Sequence, residues 1–148
     1  MRPAYVLSLF MAVAMSTAAI SEEGASLDEA KAMALKAAEH YRQSGADKAF
    51  SDFNSSPDWH DRNLYVFAVR NDGTQAANGG NPALIGRNVI DMRDVDGKLT
   101  NREMLAVKDQ GWVEYKWRNP QNNTVQEKAT YVVRVSDDTI VAVGAYKK

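Results

Sequence analysis

Between Gly111 and Tyr131 the chain reads Gly-Trp-Val-Glu-Tyr-Lys-Trp-Arg-Asn-Pro, passes through a polar break at Gln121-Asn122-Asn123, and resumes as Glu127-Lys128-Ala129-Thr130-Tyr131. No other stretch restricts the fold as strongly. The alternation has a period of two, which belongs to a strand, and the Asn119–Asn123 break turns the strand back on itself. Val113, Tyr115 and Trp117 project to one face, and Trp112, Glu114 and Lys116 to the other. A hairpin with aromatics on both faces serves as core and cross-strand filler or as the wall of a small-molecule pocket. The pattern alone admits both.

The remaining elements follow from local signals. Ser26-Leu27-Asp28-Glu29 reads as a capping box opening a helix. Leu27, Ala30, Ala34, Ala37, Ala38 and Tyr41 then recur on one face, and Gly45 ends it. Its alanines suit close packing on a sheet. His40, near the helix end, is expected to be solvated and to compensate the helix dipole. A second short helix is expected over Ala46–Asn54, broken at Ser55-Ser56-Pro57-Asp58. Asn63–Arg70 is apolar on both faces and reads as a central strand. Asp72-Gly73 turns it into a short strand at Thr74–Ala77. Ala83–Thr100 is irregular, with a helical turn expected at Asn88–Met92 and a short helix within Asn101–Gln110. Asp137-Asp138 turns into a last strand at Thr139–Tyr146. Helices followed by runs of strands predict an α+β fold, with a long N-terminal helix packed on an antiparallel sheet of about five strands.

A chain of 148 residues is enough for one domain and short for two cores. The net charge of −1 gives no basic footprint for nucleic acid. The absence of cysteine excludes disulfides, iron–sulfur clusters and thiolate zinc sites. Residues 1–19 read as a signal peptide: Arg2 supplies charge, Val6–Ile20 an apolar run, and Thr17-Ala18-Ala19 a small-residue cleavage site. The expected domain is therefore residues 20–148, exported to the periplasm or secreted.

Few motifs carry chemistry. Asp94-x-Asp96-Gly97, with Glu103, matches part of a calcium loop, but its first position falls on Met92, which offers no oxygen to a hard cation. An acidic turn before a helix is the better reading. No nucleophile constellation, phosphate loop or metal motif is present, so neither an enzyme nor a cofactor is expected. Lys128, on the strand partnering the aromatic one, suits either a surface strand end or the carboxylate partner in a partly apolar pocket.

Several fragments occur in a telling order: Leu64-Tyr65-Val66-Phe67, Asp72-Gly73, Asn81-Pro82-Ala83-Leu84-Ile85-Gly86-Arg87-Asn88, Asp94-x-Asp96-Gly97-Lys98, Gly111–Pro120, Lys128-x-x-Tyr131-Val132 and Val143-Gly144-x-Tyr146-Lys147. Together they resemble the single Cache domain, an extracytoplasmic sensor module of bacterial receptors, over roughly Leu27–Lys147. The resemblance implies a PAS-like sheet and a pocket between that sheet and Gly79–Thr100. It also implies a small organic carboxylate as ligand. The matching positions are Tyr65, Trp112, Tyr115, Trp117, Lys128 and Tyr131: Lys128 would meet the carboxylate, the tyrosines would donate hydrogen bonds and the tryptophans would close the apolar side. Strand alternation sets Trp112 and Tyr115 on opposite faces. Where the family commonly carries His-Pro after the second strand, this chain has Ala76-Ala77-Asn78-Gly79-Gly80-Asn81-Pro82, so the polar contact is either lost or replaced by Asn78.

The resulting expectation is a stand-alone exported ligand-binding domain that signals through a separate partner, such as a membrane receptor. The alternative is a structural or interaction protein whose pocket is vestigial.

Overall fold

The computed structural model describes residues 24–148. The expected leader lies outside the described residues. Helix α1 spans Leu27–Ser44 and opens on the expected capping box: the Ser26 hydroxyl accepts from Glu29 N at 3.1 Å, and the Glu29 carboxylate accepts from Ser26 N at 2.6 Å. Gly45, at φ +83°, separates it from α2 (Ala46–Ser55). This left-handed backbone is what a residue without Cβ supplies at a helix end. Ala30, Ala34, Ala37 and Ala38 are wholly buried, so α1 lies close against the sheet.

Six strands form one antiparallel sheet: β1 (His60–Asp61), β2 (Leu64–Arg70), β3 (Gln75–Asn78), β4 (Gln110–Asn119), β5 (Thr124–Arg134) and β6 (Thr139–Tyr146). Their order is β1-β2-β6-β5-β4, with β3 also pairing β2. The strand beyond the expected five is β1, a two-residue piece that folds back on Tyr65 and Leu64. The last strand in sequence sits between β2 and β5, and every one of its residues is buried. A strand covered on both faces reads as a continuous apolar run, as Thr139–Tyr146 does. Strand β4 is one edge, and its Glu114, Lys116 and Arg118 place charge along it, which discourages pairing with another chain.

The two faces of the sheet bury separate cores. Leu64, Val66, Ala68, Tyr131, Val133, Val141, Val143 and Ala145 meet α1 and α2. Phe67, Val69, Val113, Tyr115, Val132, Ile140 and Ala142 meet Val89, Met104 and the loops between β3 and β4. That connection holds a short α3 (Thr100–Leu105). The helical turn expected at Asn88–Met92 does not form a helix; a single turn closes there, Met92 N donating to the Val89 carbonyl at 3.2 Å. The chain there is pinned in extended bridges, Thr74 with Asn88 and Arg93 with Leu99, and the Asn88 side chain caps Ile90 N.

His40 also departs from expectation. Its ring is packed against Trp59 at 5.0 Å between centroids, and its Nε2 lies 2.7 Å from the Asp52 carboxylate. It ties α1 to α2 and is not a solvated cap. The Asp94 turn is organised by backbone: its carboxylate accepts from the amides of Asp96, Lys98 and Lys116. These bonds hold the carboxyl below the usual carboxylate range, with that from Lys116 the strongest, and they latch the β3–β4 connection onto β4. No helix among the described residues is long and apolar enough to cross a membrane.

Candidate ligand-binding site

The face of the sheet turned away from α1 holds a small cavity, with about 50 Å³ of open space. Tyr65 and Phe67 of β2, Gln75 and Asn78 of β3, and Tyr115 and Trp117 of β4 form its floor. Asn81, Leu84, Met92, Thr100, Asn101 and Met104 close it from above. This is the space between the sheet and the Gly79–Thr100 segment.

Lys128 stands at one end. It sits in the middle of β5, not at the strand start, because β5 begins four residues earlier at Thr124. The register pairs it with Tyr115 on one side and Tyr146 on the other. It is 1% exposed, and among the described residues it forms no ion pair with a carboxylate. Its Nζ donates to the Tyr65 hydroxyl at 3.0 Å. It lies 4.6 Å from the Tyr65 ring centroid, 5.3 Å from Tyr146 and 5.7 Å from Phe67. The faces of these rings carry the negative end of the aromatic quadrupole and partly replace the lost hydration. Gly144 makes room for the stem, since a Cβ there would sit 2.4 Å from Lys128 Cε.

Burial is the strongest influence on the ammonium and favours losing the proton. The phenols of Tyr115, Tyr65 and Tyr146 outweigh it, and the net effect holds Lys128 above its ordinary value. Burial pushes the Tyr115 and Tyr146 phenols up in turn. The site is thus a buried lysine ringed by phenols, of which burial keeps Tyr115 and Tyr146 in their neutral form.

Lys128 does not itself line the cavity. Tyr65, which does, accepts from Nζ at its hydroxyl, and that hydroxyl's own proton has no acceptor among the described residues. A hydroxyl that accepts from a cation becomes a stronger donor. On the far side, Lys128 and Tyr115 border a second, wider cavity of about 240 Å³, rimmed by Asp94, Asp96, Glu114 and Glu127 as well as by lysines.

Of the six positions singled out in the sequence, Tyr65, Tyr115, Trp117 and Lys128 gather at this end of the sheet. Trp112 and Tyr131 do not. They pair across β4 and β5 on the α1 face, their rings 5.0 Å apart, with Lys31 of α1 over Tyr131. The reason is parity. Tyr131 lies three residues from Lys128 in one strand, so the two side chains leave opposite faces.

Polar residues that the sequence did not single out complete the lining. Asn78 is 6% exposed, and its Oδ1 accepts from the amides of Gly80 and Asn81 at 3.0 and 2.8 Å. Two donors on one atom identify it as the oxygen. The Nδ2 group then has no partner among the described residues. Gln75, Thr100 and Asn101 are also buried polar residues in the wall. Tyr146 was findable, because alternation in Thr139–Tyr146 sets it on one face with Ile140 and Ala142.

A helix across one face of an antiparallel sheet, with a loop-covered cavity on the other, defines an α+β domain built to enclose something small. The chain belongs to the family described as Single Cache domain 2, whose profile matches residues 4–148. No curated protein matches the chain significantly. It is similar in fold to a methyl-accepting chemotaxis protein from Vibrio parahaemolyticus RIMD 2210633, with 19% identity and a TM-score of 0.70 over 80% of this chain and 86% of that one. A periplasmic sensor domain of a chemotaxis protein aligns at 20% identity and TM-score 0.63, covering 82% and 90% of the two chains. A Cache chemosensory domain studied for carboxylic acid recognition aligns at 21% identity and TM-score 0.62, covering 82% and 88%.

Proposed function

We propose that the chain is an extracytoplasmic sensor domain that binds a small organic carboxylate without converting it, and that it signals through a separate protein partner. One observation carries this reading: a buried lysine, with no carboxylate partner among the described residues, is hydrogen-bonded to Tyr65, a residue that lines a small polar cavity. A buried charge without a counter-ion is costly, and an anionic ligand supplies the missing charge. Tyr65 O–H and Asn78 Nδ2 are unspent donors suited to its oxygens. The small volume favours an acid of two to four carbons. Recognition of a carboxylic acid by a similarly folded Cache domain supports the same reading. The wider cavity beyond Lys128 is less suited, because its rim is already charge-balanced, Asp96 paired with Lys116 and Glu114 with Lys147.

Sensing follows from population shift: an acid that binds one state of the domain favours that state, and a partner distinguishing the states reads the change. The test is thermal unfolding of the full chain against millimolar two- to four-carbon carboxylates. An acid at about 100 times its Kd adds about 2.7 kcal/mol of stability. If none raises the transition, the carboxylate reading is refuted, and the vestigial-pocket alternative gains.

A further inference from the structure

We infer that the acid taken by this cavity carries a hydrogen-bond donor of its own, a hydroxyl or an amine, and that Gln75 and Asn101 select for it. The inference rests on the carboxylate reading above and narrows it.

It comes from two amide oxygens. Gln75 is 3% exposed and lines the cavity from β3. Its Nε2 donates to the carbonyls of Ala68 at 3.2 Å and Ala77 at 3.0 Å, which spends both N–H groups and fixes the orientation of the amide. Asn101 is 6% exposed and lines the cavity from the first turn of α3. Its Nδ2 donates to the Val89 carbonyl at 3.0 Å, so its Oδ1 is likewise identified. Neither oxygen has a partner among the described residues. No side-chain polar atom that is fully cut off from solvent lacks a partner there either, so both oxygens retain access to open space. For residues this buried, that space is the cavity they line.

The unspent polar groups of the cavity are donors, acceptors and one hydroxyl, that of Thr100, which can act as either. Tyr65 O–H and Asn78 Nδ2 are donors, and they match a carboxylate. Gln75 Oε1 and Asn101 Oδ1 are acceptors, and a carboxylate cannot satisfy them. A plain alkanoate would cover them with methyl or methylene, leaving buried acceptors unpaired at a cost of about 1–3 kcal/mol each. A hydroxyl or ammonium on the carbon chain would be received instead. Sites built to hydrogen-bond one group discriminate strongly against the analogue that lacks it.

The experiment compares three acids of equal carbon count on the unaltered full chain by calorimetry: propionate, lactate (both enantiomers) and alanine (both enantiomers). We expect lactate or alanine to bind at least about 5-fold tighter than propionate, the low end of what one unpaired acceptor costs. Preference for lactate assigns the donor as a hydroxyl, and preference for alanine as an amine. Propionate binding as tightly as both, or tighter, overturns the inference while leaving the carboxylate reading intact. Failure of all carboxylates to bind refutes that reading, and the inference falls with it. Asn101→Leu, checked for folding by its melting transition, should shrink the preference over propionate. An unchanged ratio removes Asn101 from the selection.

Discussion

Replacing Lys128 by methionine separates the two roles that a buried cation can have. The substitution keeps an unbranched stem of similar volume and removes the charge. In the ligand-free protein, Lys128 is 1% exposed with no carboxylate partner among the described residues; the phenols of Tyr65, Tyr115 and Tyr146 and aromatic faces surround it. Replacing buried ion pairs by apolar volume is commonly neutral or stabilising by about 1–4 kcal/mol, and removing a lone buried charge acts in the same direction, while the lost charge-assisted hydrogen bond takes back about 1.5–3 kcal/mol. We expect a free protein within about 2 kcal/mol of the parent, a change of several degrees in Tm at most. Ligand binding should move the other way. Nζ lies 3.0 Å from the Tyr65 oxygen, and a carboxylate accepting from that hydroxyl adds about 2.7 Å. Opposite charges about 5.7 Å apart interact by about 3 kcal/mol at an effective dielectric of about 20, or roughly 100-fold in Kd. An acid at about 100 times the parent Kd then stabilises the variant by about 0.4 kcal/mol instead of about 2.7. Thermal unfolding with and without the acid that protects the parent reads both effects. A variant that keeps the full ligand shift, or that loses more than about 2 kcal/mol when free, refutes the reasoning and makes Lys128 a structural residue.

Tyr65→Phe removes the hydroxyl that accepts from Lys128 Nζ. A hydrogen bond to a charged group is worth about 1.5–3 kcal/mol, so calorimetry should show affinity for the same acid falling by about 10- to 100-fold. Its effect should be less than additive with Lys128→Met, since the two act through one contact. Gly144→Ala would place a Cβ 2.3 Å from Thr130 Oγ1 and 2.4 Å from Lys128 Cε. It should destabilise the fold by about 1–3 kcal/mol through overpacking and weaken acid binding by displacing the lysine, both measurable by chemical denaturation with and without ligand. Glu29 gives a prediction in pH. Hydrogen bonds from the Ser26 backbone and then Arg62 draw its carboxyl from 4.5 down to about 2. A depressed folded-state value contributes stability above the unfolded value and loses it as pH falls through the folded one. Between about 4.5 and about 2 the parent should therefore lose stability more steeply than Glu29→Gln. Parallel acid-denaturation curves would contradict this.

The local grammar of the chain was largely legible. The Ser26–Glu29 capping box, the alanine face and Gly45 define α1 through contacts spanning three or four residues. The Thr139–Tyr146 run reads as a strand buried on both sides because only β-branched, small and aromatic residues occupy it. What sequence reasoning missed depends on partners distant in the chain. His40 looks like a helix-end cation until Asp52 and Trp59 are folded beside it. The two-residue β1 has no periodicity to read. The stretch Asn88–Met92 closes only one turn, held between bridges that pair Asn88 with Thr74 and Arg93 with Leu99.

The site shows where such reading stops. Parity within β5 already separates Lys128 from Tyr131, and parity within β4 separates Tyr115 from Trp112, so two sets of aromatic residues were visible in the alternation. Which set borders a cavity depends on where α1 docks, and the hairpin does not encode that. Once the alanine face covers Tyr131, Val133 and Val141, the opposite set is left to the β3–β4 connection. That connection is irregular and rich in Asn and Gly, so it cannot pack as tightly as a helix, and a polar gap remains beneath it. The gap is lined by amides whose other ends are already bound to backbone. Those spent ends orient the free ones: Asn78 must present a donor, and Gln75 and Asn101 acceptors. A residue type at a position does not carry that information; it arises when the backbone carbonyls of Ala68, Ala77 and Val89 come within reach. The sequence positions thus name the candidates, and the long-range backbone contacts decide what each one offers a ligand.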